Sequence, residues 1–193
     1  MKTFASLFLF CLFSLVAAAR ELPKIPADDI AGTFRQTKTL SDMGVSLVST
    51  GDFRVRKNKD LLWRTLKPVK LGFLLTPQGA YQIRGNEKTP LPPAATPLMR
   101  TLYAIFDAAF SGDEKTLSGI FEISRPSEEA APWILVPKKK PLSDFILKIE
   151  LRATADTLGS VTLFDVSGDV SRIEFFDIAA CEENAGADGN GRL

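Results

Sequence analysis

The sequence predicts an α+β domain organised around an antiparallel sheet, and three observations carry that expectation. From Phe34 onward, apolar and polar residues alternate with a period of two, the spacing of side chains on one face of a strand. The alternating runs are joined by short polar turns, Lys57-Asn58-Lys59-Asp60, Thr76-Pro77-Gln78-Gly79 and Ser167-Gly168-Asp169 among them. One segment, residues 97–110, carries a convincing helical period. Short turns between successive strands imply an antiparallel meander, because a parallel pair needs a long crossover. Alternation this regular leaves one apolar face and one wet face.

The N-terminus stands apart from that pattern. Met1-Lys2 is a short positive region, Phe4 to Val16 is apolar, and Ala17-Ala18-Ala19 offers a small-residue cleavage site. Together they predict a secretory signal peptide over residues 1–19. A membrane-spanning helix needs about 20 apolar residues, more than Phe4 to Ala19 supplies before Arg20-Glu21. Cys11 lies inside the apolar run without small residues ahead of it, unlike a lipid-attachment cysteine. A domain is expected over residues 20–180, and the polar, glycine-rich residues 181–193 as a disordered tail.

The elements follow in order. Phe34, Gln36, Lys38 and Leu40 share one parity. Val45, Leu47, Ser49, Gly51, Phe53 and Val55 share a face of the next strand, with Arg54 and Arg56 opposite. After the turn, Leu61, Trp63 and Thr65 continue the apolar face, and Pro68 closes the strand. Val69, Leu71, Phe73 and Leu75 alternate next, and residues 80–84 suit another short strand. Residues 85–97 hold four prolines and read as a loop. In the helix, Pro97 suits the first turn with Thr96 as its cap, and Ser111-Gly112-Asp113 ends it. Residues 114–117 add a further turn. Strands then resume around Phe121 and Ile123, around Trp133 and Leu135, and from Phe145 through Leu147, Ile149 and Leu151. The last two carry Val161 and Leu163, then Ile173 and Phe175.

Composition narrows the function classes. Losing residues 1–19 takes Lys2 from the 24 basic residues and leaves them equal in number to the 23 acidic ones. That balance does not favour nucleic acid. The chain has no histidine, which excludes Ser-His-Asp and Cys-His catalysis and the common histidine-bearing zinc sites. It has neither a nucleophile elbow nor a phosphate loop, and no metal or cofactor is expected. Beyond the leader only Cys181 remains, so no intramolecular disulfide can form.

The apolar face carries large groups, Phe34, Phe53, Trp63, Phe73, Phe121, Trp133 and Phe145. A wide sheet curls, and one helix covers only part of it. Two readings stay open. The sheet closes on a side-chain-filled interior, or it is a half-open barrel with the helix as lid over a cavity for an acyl chain. Arg54, Arg56, Lys57 and Lys59 read most simply as a solvated hairpin edge, or else as a contact for anionic headgroups or an acidic partner. Lys138-Lys139-Lys140 reads as a solvated turn, with a membrane-surface contact as the alternative.

The order of residues adds a resemblance. Phe34-x-Gln36, Lys38, Ser49-x-Gly51-Asp52-Phe53, Leu62-Trp63, Pro68 and Pro77-Gln78-Gly79 come first. Trp133-x-Leu135-x-Pro137-Lys138 and Gly168-Asp169 before Ile173-x-Phe175 follow. This succession, over about residues 30–178, resembles the periplasmic outer-membrane lipoprotein carriers, the LolA-like proteins. The resemblance implies a strongly curved antiparallel sheet, an incomplete β-barrel, with a helical lid over an apolar cavity. It implies a monomeric periplasmic carrier without enzymatic activity. Its acylated cargo, a lipoprotein or another lipid, would pass from an inner-membrane ABC-type release complex to an outer-membrane acceptor.

Candidate cavity-lining residues are then Phe34, Leu47, Phe53, Val55, Leu61, Trp63, Phe73, Leu75, Phe121, Trp133, Leu147 and Ile149 on strands, with Leu98, Leu102, Ile105 and Phe106 on the lid. In the family an arginine followed by proline in this hairpin helps control the lid. Aligned without gaps from Gly51 to Trp63, these positions hold Lys57 and Asn58, with Arg56 beside them. Arg56 and Lys57 are therefore the candidates for lid latch or partner contact, and lysine lacks arginine's planar fork. These departures mark a divergent branch whose cargo need not be lipoprotein. The competing reading is an enzyme acting on lipid or glycan through paired carboxylates; a third is a closed adaptor domain with no cavity.

Overall fold

The computed structural model describes residues 21–22, 28–92, 96–125, 128, 131–154 and 157–181, with backbone only for 96–102. The expected signal peptide (1–19) and the tail beyond Cys181 lie outside the described residues. The strands of the first half are β1 (Asp29–Leu40), β2 (Val45–Arg56), β3 (Asp60–Lys67), β4 (Leu71–Thr76), β5 (Gly79–Arg84) and β6 (Glu87–Pro90). Helices α1 (Thr96–Ser111) and α2 (Glu114–Ile120) come next. Then follow β7 (Phe121–Ser124), β8 (Trp133–Pro137), β9 (Ile146–Thr154), β10 (Thr157–Asp165) and β11 (Val170–Ala180).

All the strands join one 11-stranded antiparallel sheet, ordered β6-β5-β4-β3-β2-β1-β11-β10-β9-β8-β7. Two meanders, β1 to β6 and β7 to β11, are therefore stitched together by the β1–β11 pair. The sheet does not close: β6 and β7 each have a neighbour on one side only. Those two edges are also the two ends of the helical segment in sequence. The chain must cross from one edge to the other, and α1 and α2 make that crossing. Topology thus places the helices over the opening.

The sheet curves strongly. Trp63 of β3 and Phe175 of β11 sit three strand steps apart, about 14 Å on a flat sheet. Their ring centroids are 6.5 Å apart. Bulges sharpen the bend. One sets Asp177 and Ile178 against Gly32, with Asp177 at φ 52°. A second leaves Leu66 unpaired opposite the Thr50/Gly51 step. Gly51 is required where it stands: a Cβ there would lie 1.8 Å from the Arg64 carbonyl oxygen and 2.8 Å from the Phe34 ring. Its missing side chain lets Phe34, its partner on β1, lie across the strand.

The predicted fold class holds, and several elements are corrected. Residues 85–97 are not all loop: β6 forms there, and its Pro90 is tolerated because the strand is an edge. Val69 belongs to the β3–β4 turn, so β4 begins at Leu71. The added turn after α1 is a full α2, whose N-cap Asp113 accepts from the Thr116 amide at 3.0 Å and the Thr116 hydroxyl at 2.6 Å. Gly112, at φ 66°, breaks the chain between the two helices. Phe145 precedes β9, and a third bulge throws Leu147 off the line of Ile149 and Leu151. The β2–β3 hairpin is not a sheet edge, since β1 and β4 flank it.

Candidate functional site

Paired residues point to the same side of the sheet, so Phe34, Phe53, Trp63 and Phe175 all face inward. Phe34 stacks on Trp63 at 3.9 Å between centroids, and Phe53 meets Phe175 edge-on at 5.4 Å. Into this floor α1 lowers Phe106 and Phe110. Phe106 lies 5.4 Å from Trp63, and Phe110 lies 5.2 Å from Phe53 and 5.1 Å from Phe175. The concave face under α1 is therefore occupied by aromatic rings. Aromatic pairs at such separations contribute about 0.5–1.5 kcal/mol each beyond burial.

The helix is also tied to the tip of the β2–β3 hairpin. The Tyr103 hydroxyl donates to the Arg56 carbonyl at 3.3 Å. One turn further along, half-buried Asp107 borders a small gap lined by Asp28, Ile30, Val55, Lys57, Phe110 and Ser111. Burial pushes the Asp107 carboxyl above its usual range, Lys57 pulls it back and Asp113 raises it further. Burial likewise raises the Tyr103 phenol, helped by Asp107.

Arg54, Arg56 and Lys57 of the hairpin are met by carboxylates. Arg54 donates Nε to Asp29 at 2.8 Å and adds a second bond from its outer nitrogen. Arg56 grips Asp60 in the same two-pronged way, Nε to Oδ1 being 2.8 Å. Asp60, placed in the turn by sequence, is the first residue of β3 and is buried. The Lys57 amide donates to the Asp28 carbonyl at 2.7 Å, and its ammonium lies 3.5 Å from the Asp28 carboxylate. The Arg54 hydrogen bond holds Asp29 below the usual carboxylate range, against burial, and raises Arg54 in turn. The Cys181 amide donates to the Asp29 carbonyl at 2.8 Å, which ties the residue after β11 to this side.

Of the predicted cavity residues, Phe34, Phe53, Val55, Leu61, Leu75, Ile105, Phe121, Trp133 and Ile149 are buried in one continuous cluster. Trp63 and Phe106 pack against it half-buried, and Phe73 is also half-buried. Leu98 and Leu102 lie on α1, but their side chains are outside the described residues. Leu47 and Leu147 are instead exposed. Leu47 is 57% exposed, because β2 runs past the end of the cluster. Leu147 is 59% exposed, because it sits at the β9 bulge. Arg56 and Lys57 do meet the helix end of the hairpin, but Arg56 contributes its carbonyl to α1 while its guanidinium serves Asp60.

Phe110, Phe175, Tyr103 and Asp107 were absent from the sequence-based set. Phe110 and Phe175 carried a visible signal, lying on the apolar helix stripe and on the inward parity of the last strand. Tyr103 and Asp107 are spaced four apart on one helix face, yet nothing local identifies the hairpin as their neighbour. Lys38, on the inward parity, ends in an ion pair with Asp169 at 3.2 Å and approaches Asp165 at 3.8 Å. Two grooves open beside this core. One of about 350 Å3 is lined by Asp28, Asp29, residues 56–59 and Cys181. Another of about 370 Å3 lies between Tyr103, Asn58 and the β4–β5 turn, with Leu75 and Ala80 in its wall. Among the described residues no group of three His, Cys, Asp or Glu side chains is placed to hold a metal.

No family model matches the sequence, and no curated protein does. Among solved structures the chain is similar to a LolA superfamily protein from Nitrosomonas europaea. That likeness has 10% identity and a TM-score of 0.46, over 82% of this chain and 89% of the other. It is similar to MucB in complex with MucA(peri), at 16% identity and TM-score 0.41, over 83% of this chain and 54% of that one. It is also similar to an outer membrane lipoprotein-sorting protein domain from Vibrio parahaemolyticus. There the identity is 10% and the TM-score 0.41, over 81% and 88% of the two chains.

Proposed function

We propose that the chain is a periplasmic carrier without chemistry of its own, which holds acylated cargo between α1 and the concave face and delivers it to the outer membrane. The cargo would be a lipoprotein or another lipid. An inner-membrane ABC-type complex would supply it and an outer-membrane acceptor would take it. One observation carries this reading: an open-edged, curved sheet presents an aromatic concave face whose cover is a helix spanning the gap between its free edges. The groove beside Tyr103 supports a point of entry next to that cover.

In this mechanism the ring-filled state is the empty carrier. Loading lifts Phe106 and Phe110 away and breaks the Tyr103 bond to the hairpin. The acyl chain then takes over the contacts the rings give up, each buried methylene contributing about 0.8 kcal/mol. Handover follows where the acceptor binds the cargo more favourably than the open carrier does. A closed adaptor domain would show the same ring packing, so the test must separate the two. Native mass spectrometry of the protein purified from its periplasm, with solvent extraction, reads any bound acyl species directly. Uptake of an environment-sensitive fatty-acid probe reads the empty fraction. A co-purifying lipid, or probe binding displaced by lipid, supports the carrier. A protein that is empty and refuses the probe leaves the closed domain.

A further inference from the structure

The end of the sheet opposite the 57–59 hairpin tip has a different surface. There the β1–β2 turn, the β3–β4 turn, the β10–β11 turn and the loop before β9 come together. Strand order makes them neighbours, and direct bonds join three of them. The Ser41 amide donates to Asp169 at 3.1 Å, and the Val166 amide donates to the Phe145 carbonyl at 3.0 Å. These segments expose large apolar side chains, Met43 at 66% and Val69 at 68% among them. Leu47, Phe145, Leu147 and Val166 continue the arc. Among the described residues, the exposed Phe176 lies off this end, opposite Thr33, while the exposed Val136 lies on β8 beside the start of β9.

Cations flank the arc. Lys67, Lys70 and Lys139 are exposed on the same turns. The acidic groups nearby are largely engaged, Asp144 by Lys140 at 3.0 Å and Asp165 and Asp169 by Lys38. Asp42 is the exposed acid left among them. Apolar side chains on separate turn tips, ringed by lysine, match a surface that is apolar inside and anionic at its boundary. A protein interface is ordinarily depleted of lysine at its centre and built on aromatic and arginine anchors. A second copy would set lysine against lysine.

We propose that this end docks on an anionic lipid bilayer, with the apolar tips entering the headgroup boundary and Lys67, Lys70 and Lys139 facing the phosphates. The inference stands on exposure and charge and does not require the carrier reading. The test is co-flotation of the full chain with phosphatidylcholine vesicles, with and without phosphatidylglycerol, at low and high salt. The wild type is expected to float with the anionic vesicles and to be released by salt. M43S/F145S and K67E/K70E should each weaken that binding about tenfold or more, with unchanged melting and unchanged uptake of the fatty-acid probe in the absence of vesicles. Absence of wild-type flotation at low salt would overturn the proposal. So would binding indifferent to both variants, or concentration-dependent self-association that M43S/F145S abolishes.

Discussion

The two ends of the sheet have opposite solutions for their side chains. At the hairpin end, Arg54, Arg56 and Lys57 are each met by a carboxylate, and α1 closes over the rings behind them. At the far end, the strands run beyond the helical cover and leave Met43, Leu47, Phe145 and Leu147 in water beside lysines. The contrast shows that the alternation of a strand states which way a side chain points, not whether anything covers it. Phe53 and Leu47 share one strand and one parity, yet Phe53 is buried and Leu47 is exposed.

That contrast can be broken most severely at the closed end. Phe53→Ala removes the ring that joins α1 to the floor and should cost about 3–5 kcal/mol of stability, read by urea unfolding. Tyr103→Phe keeps the ring and deletes the bond to the hairpin. It should lower stability by about 1 kcal/mol and speed uptake of the fatty-acid probe; unchanged uptake would mean that this bond does not hold the cover.

Asp107 sharpens the comparison through pH. Because burial raises its folded pKa, the stability it contributes is present below the unfolded value of about 3.9 and is lost as pH rises through the raised folded value. Asp107→Asn should therefore melt higher than wild type at neutral pH, and the two curves should converge on acidification. Asp29 and Asp169, held low by their hydrogen-bond partners, act in the other sense and are common to both proteins, so they drop out of the difference between the curves. A gap that widens in acid would reverse the assignment.

Smaller effects are expected at the exposed groups. Arg54→Ala loses a two-pronged pair with Asp29 on the open face, and surface screening should keep the change below about 1 kcal/mol. Leu47→Ser should fall within about 0.5 kcal/mol of wild type in the same unfolding experiment. A larger loss there would mean that the far end is covered in solution.

Much of this was legible in the chain. Period-two runs, turn residues and the stripe of residues 97–110 are local properties, and each element they announced is present, with β6 as the missed strand. Gly51 and Phe34 belonged to the pattern that carried the family resemblance, and their contact explains why that glycine stands there. Most of the inward aromatic residues followed from parity alone. Leu147 did not, because a bulge is a mismatch between two strands and neither strand records it alone. The pairing of Arg54 with Asp29 and of Tyr103 with the Arg56 carbonyl joins residues from separate elements. Strands, helix and inward parity can be read from the chain, because backbone geometry and side-chain spacing act over a few residues. Where the helix rests, which cations are paired and which apolar side chains stay wet emerge only on folding, because these depend on sheet curvature and on what the two free edges bring together.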